Sequence, residues 1–255
     1  MELSGRVVVV TGGGRGIGAA MVRRFAQEDP RGLVVGDVDG DLAAEVAREV
    51  GGLGVTVDVG REEDNVRLID AATDRFGPVD LFCANAGYAI EGDEQTPDVE
   101  WDRMWRVNFM SHVWAARRLV PEWLARGEGY LLHTASAAGL LTNLFALQYS
   151  VTKHAVVALA EWLAVTYGDR GLKVSCLCPQ GVNTRLLDAD EKIRRLLAPV
   201  ALEPEEVADR VVEGIENEEF LILPHPEVEG YFQNKANDYQ RWLDGMRRLQ
   251  RRLLE

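Results

Sequence analysis

The chain has 255 residues, a length that a single α/β domain commonly reaches. Hydrophobic residues make up 47% of it and charged residues 27%, which argues against collagen-like, low-complexity and wholly disordered chains. The formal net charge of −13 repels phosphate backbones and anionic lipid surfaces, and so disfavours nucleic-acid and membrane partners.

Short runs rich in β-branched residues alternate with longer amphipathic segments along the chain. The predicted strands are residues 7–10, 33–36, 55–57, 79–83, 130–133, 174–178 and 220–223. The predicted helices are residues 16–28, 40–49, 61–76, 97–125, 146–168 and 204–217. Strands that are hydrophobic throughout and are separated by helices indicate a parallel sheet covered on both faces. The predicted fold class is therefore α/β, a doubly wound three-layer α/β/α sandwich with a seven-stranded parallel sheet.

Two segments lie outside this alternation. Residues 184–202 mix leucines with many charges between a strand and a helix, which favours either a mobile lid or a surface helical insertion. In the C-terminal tail, Leu243, Met246, Leu249 and Leu253 recur at helical spacing. We therefore predict a catalytic domain over residues 1–223, including the lid, and a helical extension of the same domain over residues 224–255.

Three features bear on the cellular compartment. The cysteines Cys83, Cys176 and Cys178 cannot all pair within one chain, and their spacing matches no metal-finger motif, so we interpret them as core residues and predict no metal site. The N-terminus has no signal-peptide pattern. No apolar run approaches the 18 or so residues of a membrane span. A soluble protein of the reducing cytoplasm is expected.

A glycine-rich turn follows the first predicted strand. Residues 7–18 read VVVVTGGGRGIG and lead into an amphipathic helix. Glycine allows a positive φ and close approach of a ligand, while the helix N-terminus offers free N–H groups to a pyrophosphate. Asp37 ends the second strand about twenty residues further on, where a carboxylate can bind the ribose hydroxyls of adenosine. These residues predict a Rossmann-type dinucleotide site.

A tyrosine and a lysine stand four residues apart in a predicted helix. Tyr149 and Lys153 therefore lie on one helix face. An unperturbed tyrosine has a pKa of about 10, and a neighbouring cation favours the phenolate. Because such pairs also occur on solvated helix faces, the pair alone does not define a catalytic site.

Taken together and in order, these segments resemble the classical short-chain dehydrogenase/reductase family. Residues 11–18, TGGGRGIG, match its cofactor turn TGxxxGxG, and residues 85–87 match its NAG segment. Tyr149 and Lys153 match its YxxxK motif, with Ser136 placed 13 residues upstream. The resemblance covers most of the chain and implies a cytoplasmic enzyme with NAD as cofactor and a small-molecule alcohol or ketone as substrate.

The resemblance implies four catalytic residues. Tyr149 would exchange the proton of the substrate oxygen, and Ser136 would hydrogen-bond that same oxygen. Lys153 would lower the pKa of Tyr149 and hold the nicotinamide ribose. Asn108 would fix a water that links Lys153 to solvent. The reaction implied is hydride transfer between nicotinamide and a carbon that bears a hydroxyl or carbonyl.

The resemblance also implies a cofactor site. Asp58 and Val59 would contact adenine, whereas the backbone of Val182 and the hydroxyl of Thr184 would face the carboxamide. The implied cofactor-binding residues are Gly12, Arg15, Gly16, Ile17, Gly18, Asp37, Asp58, Val59, Asn85, Ala86, Gly87, Tyr149, Lys153, Pro179, Gly181, Val182 and Thr184.

The substrate pocket is predicted from residues near these motifs. Its members are Tyr88, Ala138, Leu140, Leu144, Gln180, Leu186 and Leu187. Most are apolar, so the expected substrate is a mainly apolar secondary alcohol or its ketone. Arg185 offers an alternative grip for a carboxylate. The sequence departs from the family at Ala84, where an asparagine is common, and at Gln180, where a glycine is usual; neither change removes a catalytic group.

Two alternatives remain open at this level. Arg15 can pair with a 2′-phosphate, which would make the protein an NADP-dependent carbonyl reductase, although Asp37 argues against it. A catalytically silent dinucleotide sensor would retain the same fold. The resemblance further implies a homo-oligomer, a tetramer or a dimer, formed through the two long helices at residues 97–125 and 146–168.

Overall fold

One parallel sheet organises the fold. The computed structural model describes residues 1–187 and 191–255. Its strands are β1 Val7–Thr11, β2 Gly32–Asp37, β3 Leu53–Thr56, β4 Leu81–Ala84, β5 Gly129–Thr134, β6 Leu172–Leu177 and β7 Leu221–Ile222. They run in the order β3-β2-β1-β4-β5-β6-β7. The sheet confirms the predicted doubly wound α/β fold, and its strand order reverses direction between β1 and β4, where ligands bind in such folds.

Helices cover both faces of the sheet. They are α1 Gly16–Phe25, α2 Gly40–Glu49, α3 Glu62–Phe76, α4 Asp98–Trp105, α5 Ser111–Arg126, α6 Ala137–Leu140, α7 Leu147–Tyr167, α8 Glu191–Leu197, α9 Pro204–Glu216, α10 Glu227–Asn237 and α11 Tyr239–Leu254. Alternate side chains of β1 enter two separate cores. Val7 and Val9 pack on the side of α3, α5 and α7, whereas Val8 and Val10 pack on the side of α1, α2 and α9. Burial on both faces explains why the strands are apolar throughout.

The predicted helix at residues 97–125 is interrupted. Residues Arg106–Met110 form a π-helical turn between α4 and α5, and Asn108 lies within this turn. A π turn is common at functional sites, where it changes the direction of a side chain. Here the fully buried Asn108 side chain bonds the backbone of Tyr88 and the hydroxyl of Thr152.

The lid and the tail differ in detail from the prediction. Helix α8 occupies part of the predicted lid, and residues 188–190 of that lid lie outside the described residues. The tail forms two helices instead of one, since the chain breaks at Asp238 between α10 and α11. The Asp238 carboxylate accepts a hydrogen bond from the Arg241 N–H and so caps α11.

Residues 1–187 and 191–255 contain neither a membrane-spanning helix nor a cluster of metal ligands. No helix there is both long and apolar enough to cross a membrane. In the same residues, no group of three or more His, Cys, Asp or Glu side chains is placed to hold a metal ion. Cys83, Cys176 and Cys178 are buried free thiols.

Two buried histidines meet between α5 and β5. The Nδ1 atoms of His112 and His133 lie 2.9 Å apart, and both side chains are fully buried. Neither Nε2 atom has a hydrogen-bond partner among the described residues. Burial lowers the pKa of His112 well below its usual range and lowers the pKa of His133 to about 4. Both rings are therefore neutral at pH 7, with one Nδ1 donating to the other.

This pair makes stability depend on pH. We expect the free energy of unfolding to fall as pH drops from 7 to 5, because unfolded histidine, with a pKa of about 6.5, binds protons that buried His133 excludes. The expected loss from His133 is about 2 kcal/mol. Urea unfolding across this range would show a shallower pH dependence for His133→Gln, whereas His154→Gln, at an exposed histidine, should behave like the unmutated protein. Equal slopes in all three proteins would contradict this assignment.

Candidate active site

A large cleft opens at the carboxyl ends of the strands. It measures about 1970 Å³ and is lined by the loops after β1, β2, β3, β4, β5 and β6, together with residues of α10 and α11. The carboxyl edge of a parallel sheet is where ligands bind in this architecture. Each residue predicted to bind the cofactor lines this cleft.

The glycine turn leaves no room for side chains. Gly12 has φ +64°, and a Cβ added there would lie 2.8 Å from the Cα of Ala86. A Cβ on Gly18 would lie 2.1 Å from the carbonyl oxygen of Gly12. The N-cap residue Arg15 makes no side-chain capping bond, so the first amides of α1 stay available. The turn therefore fits a pyrophosphate held by backbone N–H groups.

Asp37 supports this turn from the end of β2. It is only 6% exposed; its Oδ2 accepts from the Gly14 N–H at 2.9 Å, and its Oδ1 accepts from the Asp39 N–H at 3.0 Å. Arg15 forms an ion pair of 3.2 Å with Asp39. A carboxylate fixed beside the turn fits the hydroxyls of an adenosine ribose and disfavours a phosphate at the same place.

The NAG segment is bound to the first strand. The Thr11 hydroxyl accepts from the N–H groups of Asn85 and Ala86 at 3.0 and 3.1 Å. The Asn85 amide donates to the Thr11 carbonyl at 3.0 Å and accepts from the Thr134 hydroxyl at 3.2 Å. These bonds join the ends of β1, β4 and β5 into one rigid floor.

Tyr149 and Lys153 project from α7 into this floor. Their side chains are 8% and 3% exposed, and the Lys153 Nζ lies 5.7 Å from the centroid of the Tyr149 ring. Lys153 donates to the Thr134 carbonyl at 2.8 Å. A Cβ on Gly87 would lie 3.5 Å from the Lys153 Nζ and 3.2 Å from the Asn108 Oδ1. Asn108, Lys153 and the NAG segment are therefore immediate neighbours.

Burial is the main influence on the pKa values of Tyr149 and Lys153. Burial raises the pKa of Tyr149, and a hydrogen bond with Ser136 opposes that rise. Burial lowers the pKa of Lys153 to about 8. Lys153 is not among the groups that shift the Tyr149 pKa in this structure, where its ammonium donates to the Thr134 carbonyl, so the lowering of that pKa by Lys153 stays a prediction.

Ser136 lies at the N-cap of α6. Its hydroxyl accepts from the Ala138 N–H at 3.1 Å and lies 3.4 Å from the Pro179 carbonyl oxygen. The Ala137 N–H also donates to Pro179, at 2.8 Å. The loop after β6 is therefore fastened to the Ser136 segment.

Most predicted pocket residues line the cleft. They are Tyr88, Ala138, Leu144, Gln180, Leu186 and Leu187. Leu140 does not fit the prediction: it is 5% exposed and packs in the core beside α7, because α6 directs its last residue inward. Among the described residues, the buried Tyr88 hydroxyl and Gln180 Oε1 have no hydrogen-bond partner, so both can bind a polar group of a ligand.

Sequence reasoning missed His225, which positions the Gln180 segment. Its Nδ1 accepts from the Gln180 N–H at 3.2 Å, and its Nε2 donates to the Gly181 carbonyl at 2.9 Å. This pair of bonds fixes the ring tautomer. It also missed the cleft-lining residues of α11, three of which are arginines. A helical pattern in the sequence does not say which part of the fold the helix packs against. The sequence therefore could not predict the contact of His225 with the Gln180 segment or that of α11 with the cleft.

The fold and the cleft define a dinucleotide-binding α/β protein. The chain belongs to the short-chain dehydrogenase family, because the model of that family, described as short chain dehydrogenase, matches residues 6–194. This membership confirms the resemblance seen in the sequence.

Relatives from several organisms agree. A 1-deoxy-11-beta-hydroxypentalenate dehydrogenase of Streptomyces exfoliatus is 33% identical, over 94% of this chain and 90% of its own. A 3beta-hydroxysteroid dehydrogenase 2 of Eggerthella lenta is 32% identical, over 72% and 74%. The crystal structure of a short chain dehydrogenase/reductase from Burkholderia phymatum in complex with NAD has a TM-score of 0.86 and 30% identity, over 94% and 96%. These named dehydrogenases support an oxidoreductase.

Proposed function

We propose that this protein is an NAD-dependent dehydrogenase that interconverts a mainly apolar secondary alcohol and its ketone. The observation that carries the proposal is the convergence of Ser136, Tyr149 and Lys153 in the same cleft as the glycine turn. The NAD complex of the Burkholderia phymatum protein and the buried carboxylate of Asp37 support NAD as the cofactor.

Each of the four predicted catalytic residues has its own role in the proposed reaction. When bound, the nicotinamide accepts or supplies the hydride. Tyr149 exchanges a proton with the substrate oxygen, and Ser136 hydrogen-bonds that oxygen. Lys153 supplies a positive charge that favours the phenolate, which offsets the desolvation of Tyr149. Asn108 holds the backbone of Tyr88 at one wall of the cleft and adjoins the Lys153 ammonium.

The substrate end of the cleft favours an apolar molecule with few polar groups. Leu144, Leu186 and Leu187 supply the apolar lining. The Tyr88 hydroxyl and Gln180 Oε1, which have no partner among the described residues, supply orienting groups. Names of relatives, which include a hydroxysteroid and a hydroxypentalenate dehydrogenase, support a hydroxylated carbon skeleton as substrate class.

A panel of neutral secondary alcohols tests this function. Cyclohexanol, 1-indanol and hydroxysteroids, each assayed with NAD and with NADP by nicotinamide absorbance, should show turnover with NAD. The larger alcohols should have the higher kcat/KM, because they fill more of the apolar cleft. NAD binding without turnover of any alcohol or ketone would favour the dinucleotide sensor instead.

We expect a homo-oligomer, a tetramer or a dimer, in the reducing cytoplasm. Helix α7 exposes Trp162 and Val165, at 56% and 86%, which is unusual for large apolar side chains. Light scattering at micromolar concentration should give an oligomer, and Trp162→Glu with Val165→Glu should shift it toward the monomer. Val200→Glu, at an exposed valine outside α7, serves as the control. A monomeric unmutated protein would rule this assembly out.

A further inference from the structure

Helix α11 presents a mixed apolar and cationic face to the substrate end of the cleft. Its cleft-facing stripe consists of Arg241, Trp242, Met246, Arg248, Leu249 and Arg252. Successive members of the stripe are one to four residues apart, and at 3.6 residues per turn all six project to one side of the helix. The leucines Leu186, Leu187, Leu196 and Leu197 line the same cleft. The apolar part of a ligand can therefore pack against both the lid leucines and α11.

The arginines of the stripe are unpaired within the part of the chain that the structure describes. Over residues 1–187 and 191–255, the guanidinium groups of Arg241, Arg248 and Arg252 make no hydrogen bond or ion pair, and all three residues are exposed. Arginines elsewhere are commonly paired: Arg23 with Glu49 and Arg117 with Glu62 are examples. Unpaired guanidinium groups along a cleft are ready to bind a carboxylate or phosphate.

The charge of α11 is opposite to that of the whole protein. The helix carries five arginines against one aspartate, Asp244, whereas the chain has a net charge of −13. Asp244 pairs with Arg247, which lies outside the stripe. Asp244 is therefore not paired with the stripe, and the guanidinium groups of the stripe favour an anionic ligand at this side of the cleft.

A buried lysine fixes the start of this helix against the active site. Lys235 is 7% exposed and donates to the carbonyl groups of Leu140 and Leu141 at 2.7 and 3.1 Å. Its Nζ lies 4.9 Å from the centroid of the Trp242 ring and 5.6 Å from that of Tyr239. Ser136 and Leu141 are the N-cap and C-cap of the one-turn helix α6, and Leu140 is its last residue, so Lys235 ties the stripe to the catalytic segment.

From this arrangement we infer that α11 recognises an anionic group at the far end of the substrate. Arg241, Arg248 and Arg252 bind a carboxylate or a similar anion, while Trp242, Met246 and Leu249 pack on the apolar body. The inference rests on the proposed function and refines its substrate class to amphipathic alcohols that carry one anionic group away from the reacting hydroxyl. Sequence spacing had placed only Arg185 near the pocket; the fold adds the three tail arginines.

Cholate and methyl cholate test this inference. Both have the same rings and secondary hydroxyls, and only cholate carries the anion. We expect kcat/KM to be about 10-fold higher for cholate, as for a charge recognised in a partly exposed site. Arg248→Gln with Arg252→Gln should remove this preference, and added salt should weaken it. The matched control is Arg247→Gln with Arg251→Gln, which removes the same charge from α11 outside the stripe and should keep the preference.

Calorimetry gives a second readout that does not depend on turnover. Cholate should bind the NAD-loaded protein more tightly than methyl cholate, and Arg248→Gln with Arg252→Gln should abolish the difference. Equal affinity of the unmutated protein for acid and ester would overturn the inference. A loss of NAD affinity in Arg248→Gln with Arg252→Gln would also overturn it. The same holds if the protein sediments with phosphatidylglycerol vesicles through these arginines while the ratio of kcat/KM for cholate to that for methyl cholate is the same with and without them. If the protein oxidised none of the alcohols, the proposed function would be contradicted. The calorimetry would still show whether the arginines of α11 bind the anion.

Discussion

Replacing Tyr149 with phenylalanine is expected to lower kcat by about 10²–10⁴-fold, the usual contribution of general acid–base catalysis. The change removes one hydroxyl from a ring that is already buried beside Ser136 and Lys153. No bond of the glycine turn or of the NAG segment involves that hydroxyl. The affinity for NAD should therefore change little, and the loss should appear in the chemical step.

A matched variant separates this effect from a general disturbance of α7. Tyr167→Phe removes a hydroxyl from the same helix, at its last residue and away from the cleft. It should keep unmutated kcat and KM. NAD binding measured by fluorescence should be alike in all three proteins. Near-normal turnover of Tyr149→Phe would refute Tyr149 as the acid/base and would direct attention to Lys153 or to Tyr88.

Much of the fold follows from local sequence pattern. The four valines of β1 are buried on both faces of the sheet, and a run of β-branched residues ended by glycines is typical of such a strand. Gly12 and Gly18 stand where a side chain would collide with Ala86 or with the turn itself. Here each residue type is dictated by its immediate neighbours, so the sequence predicts the local structure.

Other features depend on contacts between distant segments. The π turn at Asn108 adds a small local departure from helical spacing, and a periodic pattern of apolar residues does not resolve it. The sequence predicts Leu140 in the pocket because it comes soon after Ser136, yet α6 is only one turn long and Leu140 packs in the core. The apolar spacing of α11 predicted a helix, whereas the bonds of Lys235 decide which side of it meets the cleft.

The second large effect that we expect is a strong preference for NAD over NADP. The unmutated protein should use NAD with a kcat/KM about 10²-fold or more above that for NADP, because two like charges a few ångströms apart repel by several kcal/mol even at an effective dielectric constant of 20. The buried Asp37 carboxylate provides that charge, and its bonds to the N–H groups of Gly14 and Asp39 prevent it from turning away. Arg15 provides only a partial counter-charge, since it pairs with Asp39 and is 42% exposed.

Asp37→Asn tests this balance with little change of shape. The asparagine keeps one acceptor oxygen for the turn but removes the negative charge, so the preference for NAD should narrow by at least about 10-fold, mainly through a lower KM for NADP. Asp39→Asn is the companion variant: it releases Arg15 from its ion pair and leaves Asp37 charged. Because Asp37 still repels a 2′-phosphate there, Asp39→Asn should narrow the preference less than Asp37→Asn does. Equal efficiency with both cofactors in the unmutated protein, or a larger effect of Asp39→Asn, would show that Arg15 outweighs Asp37 and that the enzyme is an NADP-linked reductase.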